Sequence, residues 1–364
     1  MKKIFLYAYD KQNLGDDLFI KTITSRYPKV KFYLWSNKQN QDNFKEIKNL
    51  KVIDANGKFV RFLQRIRPSL VSRYKNWLKR RANALVYIGG SIFMEYEAWK
   101  QYMEGWEYDV NNFPMYALGC NFGPYQTEEY RVAMANVFEK MQDICFRDTY
   151  SKNLFKDVSN VRQAPDILFS YPISKIPVDE KRIFISVIDC AGRDEGDSAK
   201  LSQYEDSYIN NLTTLLTEYL KNGYMLTLAS FCKIEGDENA IKKLRKKMGV
   251  ADDDTRVQNL FYDGVNDNEL LASLASAKYV ISTRFHGVIL ALVAGRPVLP
   301  ILYSDKTVHV LEDMGFNGVV LDLRQEETIS FDKVQENFLN FNFPNVDELR
   351  ERSVGHFMVL DQII

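Results

Sequence analysis

Short apolar runs alternate with longer amphipathic stretches along almost the whole chain, and this alternation constrains the fold more than any other feature. In the first half the apolar runs are KIFLYAY, KFYLW, ALVYIGG and FPMYALG, with a helical pattern at about residues 16–26. Runs this short, separated by segments of helix length, are typical of a parallel sheet with crossover helices. The first half therefore predicts a doubly wound α/β domain.

A second series with the same alternation follows a polar, proline-containing stretch, YPISKIPVDE, at residues 171–180. Its apolar runs are RIFISVI, YMLTLAS, KYVIS and PVLPI, and helices are predicted at about residues 204–221, 238–248 and 268–275 and from about Phe285. A chain of 364 residues is long enough for two cores of ordinary size. We therefore predict Rossmann-like domains at residues 1–172 and 173–364, facing a central cleft where a ligand binds at the carboxyl ends of the strands.

Charge and cysteine content limit the kind of protein this can be. Basic and acidic residues are equal in number, at 48 each, so a charged partner must be met by a local patch. The four cysteines are far apart and form no CxxC pair, which argues against a zinc site or a disulfide framework and fits a reducing cytoplasm.

Two apolar stretches were candidates for a targeting signal or a membrane span. The N-terminal stretch IFLYAY has only six apolar residues before Asp10, which is shorter than the core of a signal peptide. The longest apolar stretch, at residues 287–303, is interrupted by Arg296 and two prolines, which argues against a spanning helix. We expect a cytoplasmic protein.

The segment ISTRFHG places a guanidinium and an imidazole at the end of an apolar run. The strand should end near Ser282 and the helix begin near Phe285, which puts Arg284 and His286 at a helix N-terminus. Unpaired N–H groups and the helix dipole make such a turn an anion site, to which an arginine adds a bidentate fork. Arg284 and His286 are therefore our predicted catalytic pair, and Ser282 and Gly287, which flank them, are predicted to bind the same ligand, Gly287 by allowing its close approach. The alternative is a buried histidine bonded to a carbonyl and an arginine that reaches solvent.

Lys306 follows the next strand, PVLPILY, and is predicted to reach the same site. Together with Arg284 and His286 it would supply two fixed positive charges and one group that exchanges a proton near neutral pH. Such a set suits a small ligand that carries phosphate and carboxylate. The alternative is that Lys306 is solvated, as most loop lysines are.

Two polar loops follow strands of the first half. YDKQNLGDDLF forms a turn with Asn13 and Gly15, and Asp16 or Asp17 is expected to cap the next helix. Capping alone would explain the aspartates, and the alternative is that the polar loop binds substrate hydroxyls. YIGGSIF carries Gly89 and Gly90 after a strand, where a phosphate or sugar could approach the backbone, but it lacks the spacing of a nucleotide fingerprint.

A third strand-to-helix turn, CFRDTYSKNLF, carries Arg147 and Asp148, and QAPDILF supplies Asp166 after a short strand. Arg147 and Asp148 are predicted to bind ligand, and the alternative is that Asp148 caps its helix and pairs with Arg147. No cluster has the spacing of metal ligands, and the triple aspartate at 252–254 lies in a polar loop. We expect no metal and no cofactor.

Residues 55–94 contain nine basic side chains and no acidic one, interleaved with aromatic and aliphatic residues. A basic helix of this kind, at residues 58–81, predicts peripheral contact with an anionic membrane. The alternative is a crossover helix with one solvated face. Nucleic acid is not expected as a partner, because the charge is confined to this segment and no binding module accompanies it.

The motifs resemble, in order, those of the polysaccharide pyruvyl transferase family. The matching segments run from about residue 4 to residue 316 and are NLGDDLF, IGGSIF, LGCNFGPY, FRDTYS, APDILF, STRFHGVILALVAGRPV and YSDK. Ser91, Cys120 and Asn121 depart from the family pattern, in loops that bear on the acceptor more than on the reaction.

The resemblance implies a GT-B-like pair of domains and a transfer from phosphoenolpyruvate to a sugar of a cell-surface polysaccharide or its lipid-linked precursor, which forms a pyruvate ketal. It implies that His286 is the general acid, while Arg284, Lys306 and Arg147 hold the donor's carboxylate and phosphate. The C-terminal domain would bind the donor and the N-terminal domain the acceptor. The acceptor residues would be Asn13, Gly15, Asp16, Gly89, Gly90 and Asp148.

Two other functions compete with this interpretation. A GT-B glycosyltransferase with a nucleotide-sugar donor would need a ribose-binding carboxylate on the helix after Arg284, but FHGVILALVAG contains no acid. A noncatalytic sugar-binding or assembly protein would not need the set of Arg284, His286 and Lys306.

Overall fold

The structure is a computed structural model that describes residues 1–37, 42–191, 200–325 and 330–364. The chain divides into two compact units. The first unit comprises Met1–Lys11, Asp16–Ile167 and Glu351–Ile364, and the second comprises Gln12–Gly15 and Leu168–Arg350.

The first unit is built on a seven-stranded, fully parallel sheet with the strand order β3-β2-β1-β4-β5-β6-β7. Its strands are β1 (Lys3–Tyr7), β2 (Lys31–Ser36), β3 (Leu50–Asp54), β4 (Ala84–Ile88), β5 (Met115–Cys120), β6 (Asp143–Phe146) and β7 (Val161–Gln163). Its helices are α1 (Leu14–Arg26), α2 (Lys58–Ile66), α3 (Ser69–Lys79), α4 (Trp99–Asn112), α5 (Glu128–Phe138) and α6 (Thr149–Leu154).

The second unit repeats this plan with a six-stranded parallel sheet of order β10-β9-β8-β11-β12-β13. Its strands are β8 (Asp179–Ser186), β9 (Met225–Ser230), β10 (Val257–Phe261), β11 (Ala277–Ser282), β12 (Val298–Leu302) and β13 (Leu321–Asp322). Its helices are α7 (Glu205–Lys221), α8 (Asp237–Met248), α9 (Asp267–Ser276), α10 (Phe285–Val293), α11 (Asp305–Asp313), α12 (Phe331–Leu339) and most of α13 (Val346–Ser353). Two helices cross a unit boundary, because α1 begins in the second unit and α13 ends in the first.

Burial on both faces explains why the central strands are almost continuously apolar. All six residues of β5 and all five of β12 are buried, as a parallel sheet covered by helices requires. Each unit has its own apolar core between its sheet and its helices. The predicted alternation of strands and helices is therefore confirmed, including the start of α10 at Phe285.

The strand order reverses at the first strand of each sheet, between β1 and β4 in one unit and between β8 and β11 in the other. In open α/β sheets, ligands bind outside the carboxyl ends of the strands at such reversal points. These two positions are therefore the places where the fold favours a site.

The unit boundaries differ from the predicted domains of residues 1–172 and 173–364 in two places. Gln12–Gly15 belongs to the second unit, and Glu351–Ile364 belongs to the first. The C-terminal segment is held there by His356, whose Nδ1 accepts a hydrogen bond from the Gly119 N–H at 3.2 Å. Its Nε2 therefore carries the proton and donates to the Pro165 carbonyl at 2.8 Å. No local sequence pattern reports contacts between residues so far apart in the chain.

Within the described ranges, no helix is both long enough and apolar enough to cross a bilayer.

Candidate functional site

The reversal point of the second sheet is built around two serines at the ends of adjacent strands. Ser282 ends β11 and Ser186 ends β8, and their hydroxyl oxygens lie 2.6 Å apart. The Ser282 hydroxyl donates to the backbone carbonyl of Arg284 at 2.7 Å, so Ser186 is the donor between the two serines. These bonds fix the turn that leads into α10. Ser282, predicted to bind the donor, is buried and shapes the turn.

Gly287 lets α10 begin close to these strands. A Cβ at this position would overlap the Ser282 hydroxyl oxygen and would lie 2.9 Å from that of Ser186. Gly287 therefore makes room for the two strand-end hydroxyls, and its predicted contact with the donor stays a prediction. Any larger residue would push the helix N-terminus away from the sheet.

Arg284 precedes α10 and makes a buried ion pair with two carboxylates. Its Nε donates to Asp237 Oδ2 at 2.9 Å, its Nη2 donates to Asp237 Oδ1, and its Nη1 donates to Glu235. Burial alone would lower the pKa of Arg284, but the charges of Asp237 and Glu235 outweigh it and raise that pKa well above its usual value. The guanidinium is thus permanently charged and held in one orientation.

These contacts differ from the predicted role of Arg284 as a direct ligand of a substrate anion. One guanidinium faces two carboxylates, so these three groups together carry no excess positive charge. The acids lie 47 and 49 residues before Arg284, too far along the chain for a local pattern around Arg284 to indicate them. The described geometry makes Arg284 a positioning residue that ties the start of α10 to the start of α8.

His286 lies half-buried in the first turn of α10, and the segment Gln12–Gly15 packs against it. A Cβ at Gly15 would overlap the imidazole Nδ1, so only glycine allows this contact. The segment is fixed by a hydrogen bond from the Leu14 N–H to the Phe231 carbonyl at 3.0 Å. The Asn13 side chain accepts from the Gly15 N–H at 3.1 Å, which keeps the turn compact. Two predicted acceptor residues, Asn13 and Gly15, therefore belong to the same unit as His286.

Lys306 follows β12, the strand next to β11, and lies in the first turn of α11. Its side chain is half-buried, and Nζ lies 5.6 Å from the centre of the Tyr303 ring. Lys306 therefore lies at the same edge of the sheet as His286, one strand further along.

The reversal point of the first sheet carries the other predicted residues. Gly89 follows β4 with a φ of +146°, a conformation that favours glycine. A Cβ at Gly89 would lie 3.4 Å from the carboxylate of Asp16, which is in the first turn of α1. A Cβ at Gly90 would lie 2.7 Å from Arg147 Nη2. Gly89 is therefore favoured by its backbone conformation, and Gly90 by the close approach of the Arg147 guanidinium.

Arg147 supports that turn from the interior. Its Nη1 donates to Asp166 at 3.1 Å and its Nη2 donates to Asn121 at 2.9 Å, and both ion-pair partners are buried. Asp148 accepts a hydrogen bond from the Ser151 N–H at 2.7 Å, so it caps α6. Asp148 therefore caps its helix, which is the first part of the alternative interpretation. The second part differs, because Arg147 pairs with Asp166 rather than with Asp148.

The predicted residues thus fall into two groups. The second unit contains Asn13, Gly15, Ser282, Arg284, His286, Gly287 and Lys306, and the first contains Asp16, Gly89, Gly90, Arg147 and Asp148. Sequence reasoning missed Asp237, Glu235 and Ser186. Among the described residues, no group of three or more His, Cys, Asp or Glu side chains could hold a metal ion.

The two parallel-sheet units place the chain among proteins with a doubly wound, GT-B-like fold. The fold is similar to that of Anabaena Alr3699/HepE, solved with UDP and glucose, at a TM-score of 0.58, with 12% identity over 100% of this chain and 98% of the other. It is also similar to the UDP-GlcNAc 2-epimerase of Neisseria meningitidis, at a TM-score of 0.60 and 13% identity over 100% of both chains. These neighbours have the GT-B fold, so the predicted fold class is confirmed.

The profile of the polysaccharide pyruvyl transferase family matches residues 13–305, and the chain belongs to that family. The amylovoran biosynthesis protein AmsJ of Erwinia amylovora is 20% identical over 275 residues, which are 71% of this chain and 65% of AmsJ. The chain therefore spans less than two thirds of the length of that relative. The resemblance predicted from the motifs is confirmed.

Proposed function

We propose that the protein transfers the enolpyruvyl-derived group of phosphoenolpyruvate to a sugar of a cell-surface polysaccharide or its lipid-linked precursor, forming a pyruvate ketal. Membership in the polysaccharide pyruvyl transferase family and the likeness to an exopolysaccharide biosynthesis protein support this proposal. The observation that carries it is the placement of His286, a half-buried imidazole at the N-terminus of a buried helix, packed against Gly15.

His286 is the proposed general acid. It would protonate the methylene carbon of phosphoenolpyruvate, which leaves an oxocarbenium-like centre at the adjacent carbon. One sugar hydroxyl attacks that carbon, the bond to the phosphate oxygen breaks, and a second hydroxyl closes the ketal. Of the two hydroxyl protons, one returns to the imidazole and one leaves with the phosphate. The donor's methylene thus becomes a methyl group, and atoms balance without an oxidant or reductant.

Charge for the donor must come from groups other than Arg284, which already faces two carboxylates. The N-terminal N–H groups of α10 and the ammonium of Lys306 are the proposed ligands of its carboxylate and phosphate. Arg284 has the role of holding α10 and therefore His286 in place. The predicted donor contact of Arg147 and the acceptor contacts of Asn13, Asp16, Gly89, Gly90 and Asp148 stay predictions.

A nucleotide-sugar donor is the second candidate, and one observation favours it. Glu235 is a partly exposed carboxylate in the second unit, held beside the start of α10 by Arg284, where a ribose hydroxyl could be bound. The helix α10 itself has no acid. We rank pyruvyl transfer first because family membership rests on the motif residues, whereas the fold likeness alone does not define a donor.

Calorimetry on the full chain separates the two candidates. We expect phosphoenolpyruvate to bind and UDP-glucose or UDP-GlcNAc not to bind under the same conditions. Lys306→Met should weaken binding of phosphoenolpyruvate by about tenfold, because it removes one charge-assisted contact. Lys242→Met, at an exposed position of α8, is the matched control. Binding of the UDP-sugars without binding of phosphoenolpyruvate would replace the first candidate by the second.

A further inference from the structure

The helix α2 presents an apolar face to solvent rather than to the core of the first unit. Phe59, Phe62 and Ile66 recur at helical spacing and are 56%, 58% and 59% exposed. On this helix Val60 is the buried apolar residue, and it anchors α2 to the unit. Single exposed apolar side chains are common, but three on one face of a short helix mark an interaction surface.

The neighbouring helix α3 extends this surface with aromatic rings. The Tyr74 ring packs edge-on against Phe59, with ring centres 5.2 Å apart, and stacks with Trp77, with ring centres 5.9 Å apart. Trp77 is 45% exposed. The guanidinium carbon of Arg81 lies over the Trp77 ring, 3.7 Å from its centre. We define the basic-aromatic face as the exposed side chains of residues 58–81, which comprise α2, α3, the turn between them and the two residues that follow α3.

Seven exposed bases surround the apolar side chains of this face. Lys79 is excluded because it pairs with buried Asp109, and Lys75 because it is half-buried beside the rings of Tyr7 and Trp35. In the described part of the chain, the remaining bases form no ion pair: Lys58, Arg61, Arg65, Arg67, Arg73, Arg80 and Arg81.

The side chains around α2 are arranged as the surface of a bilayer requires, with apolar side chains for the acyl chains and bases for the headgroups. Lys58 and Arg65 are four residues before and three residues after Phe62, so they lie along the edge of the apolar face. A helix with this pattern lies in the interface plane, with its apolar side chains among the upper acyl chains and its bases at the anionic headgroups. A nucleic acid would use the bases but would leave the exposed aliphatic Ile66 without a role.

We propose that the basic-aromatic face docks on an anionic phospholipid bilayer. This contact does not depend on the proposed pyruvyl transfer, and it can be measured without any turnover. It would hold the first unit at the surface on which a lipid-linked substrate is carried.

Co-sedimentation of the full chain with vesicles tests the docking surface. We expect sedimentation with vesicles of phosphatidylcholine and phosphatidylglycerol in equal parts, and little with phosphatidylcholine alone. The variant Arg61→Glu, Arg65→Glu, Arg67→Glu should reduce the bound fraction at least about tenfold, because each base contributes to attraction by the anionic surface. The variant Phe59→Ser, Phe62→Ser, Ile66→Ser should reduce it similarly through lost apolar burial. Both triple variants should unfold at the parent's temperature, since the replaced side chains are exposed.

The matched control reverses three exposed lysines of α8, at Lys242, Lys246 and Lys247. It changes the net charge as much as the arginine variant does and should sediment like the parent. An equal loss in this control would attribute binding to global charge and overturn the proposal. The proposal would also be overturned if the parent stayed in solution with both vesicle types. This outcome includes a parent that self-associates, or binds a duplex oligonucleotide, through the basic-aromatic face instead.

Discussion

The carboxylate of Asp237 holds the guanidinium of Arg284 and also accepts hydrogen bonds from the N–H groups of Phe231 and Cys232, at 2.9 and 3.0 Å. One side chain therefore joins the turn after β9 to the turn after β11. The strand between them in the sheet is β8. This cross-link fixes the start of α10 and hence the position of His286.

Replacing Asp237 by asparagine should destabilise the second unit. The change keeps the shape of the side chain but leaves a buried guanidinium without its main counter-charge, which typically costs about 3 kcal/mol or more. Urea unfolding followed by circular dichroism measures the effect. Asp252→Asn, at a fully exposed position that lies 3.6 Å from Arg245, is the matched control and should change stability by less than about 0.5 kcal/mol. Equal stability of the two variants would contradict the account of the Asp237 cross-link.

Alanine at Gly15 should displace the imidazole of His286 without unfolding the protein. The added methyl group would occupy the position of Nδ1, so the ring must move. The chain has three histidines, and the ring signals of His286 can be assigned in an NMR spectrum by single substitution. We expect these signals to shift and turnover to fall at least about tenfold, since small misplacements of a catalytic group are costly.

The control for this experiment is Gly105→Ala, inside α4. A Cβ at Gly105 meets no atom within 4 Å, so this variant should keep the parent's spectrum and gain about 0.5 to 1 kcal/mol of stability from helix propensity. If Gly15→Ala leaves the His286 signals unchanged, then the packing of the Gln12–Gly15 segment on His286 is wrong.

The buried imidazole of His356 should make the first unit sensitive to acid. Burial lowers the pKa of His356 to about 3, whereas an unfolded histidine has a pKa of about 6.5. Below the unfolded pKa only the unfolded chain takes up the proton, so stability falls as the pH drops from 6.5 towards 3. The loss contributed by this group between pH 7 and pH 5 is about 2 kcal/mol.

Urea unfolding at the two pH values, compared between the parent and His356→Asn, isolates this contribution. The variant keeps an acceptor near the Gly119 N–H but has no group that titrates, so its stability should fall by about 2 kcal/mol less than the parent's over the same interval. His309→Asn, at a half-exposed position of α11, serves as the control. Parallel pH profiles for the parent and His356→Asn would argue against a neutral, buried His356.

Local patterns predicted the central strands of both sheets and the alternation with helices, but not the strands β3, β10 and β13. The run of apolar residues that forms β11, followed by the helical spacing of α10, lies within a single short window of sequence. The placement of Arg284 and His286 at that junction followed from the same window. The parallel direction of the strands then followed from one rule, that strands joined by crossover helices form a parallel sheet with helices on both faces.

Contacts between distant segments could not be predicted in the same way. Nothing around Arg284 indicates that its partners are Glu235 and Asp237, and nothing around Gly15 indicates that it packs on His286. These pairs depend on how the turns after different strands meet in three dimensions. An arginine that binds a ligand and an arginine in a structural ion pair also look the same in a sequence. For this reason the sequence predicts that Arg284 faces a ligand.

The most direct test of the central claim is a transfer assay with the His286→Ala variant. Full-length protein is incubated with phosphoenolpyruvate labelled in its pyruvyl carbons and with lipid-linked glycans as acceptors, and both phosphate release and labelled ketal are measured. The parent should release one phosphate for each ketal formed, while His286→Ala should be slower by about 10² to 10⁴-fold with an unchanged melting temperature, the loss typical of a missing general acid. His309→Ala should react like the parent. Transfer by His286→Ala at the parent's rate would contradict the role of His286, and transfer from a nucleotide sugar but not from phosphoenolpyruvate would contradict the proposed reaction.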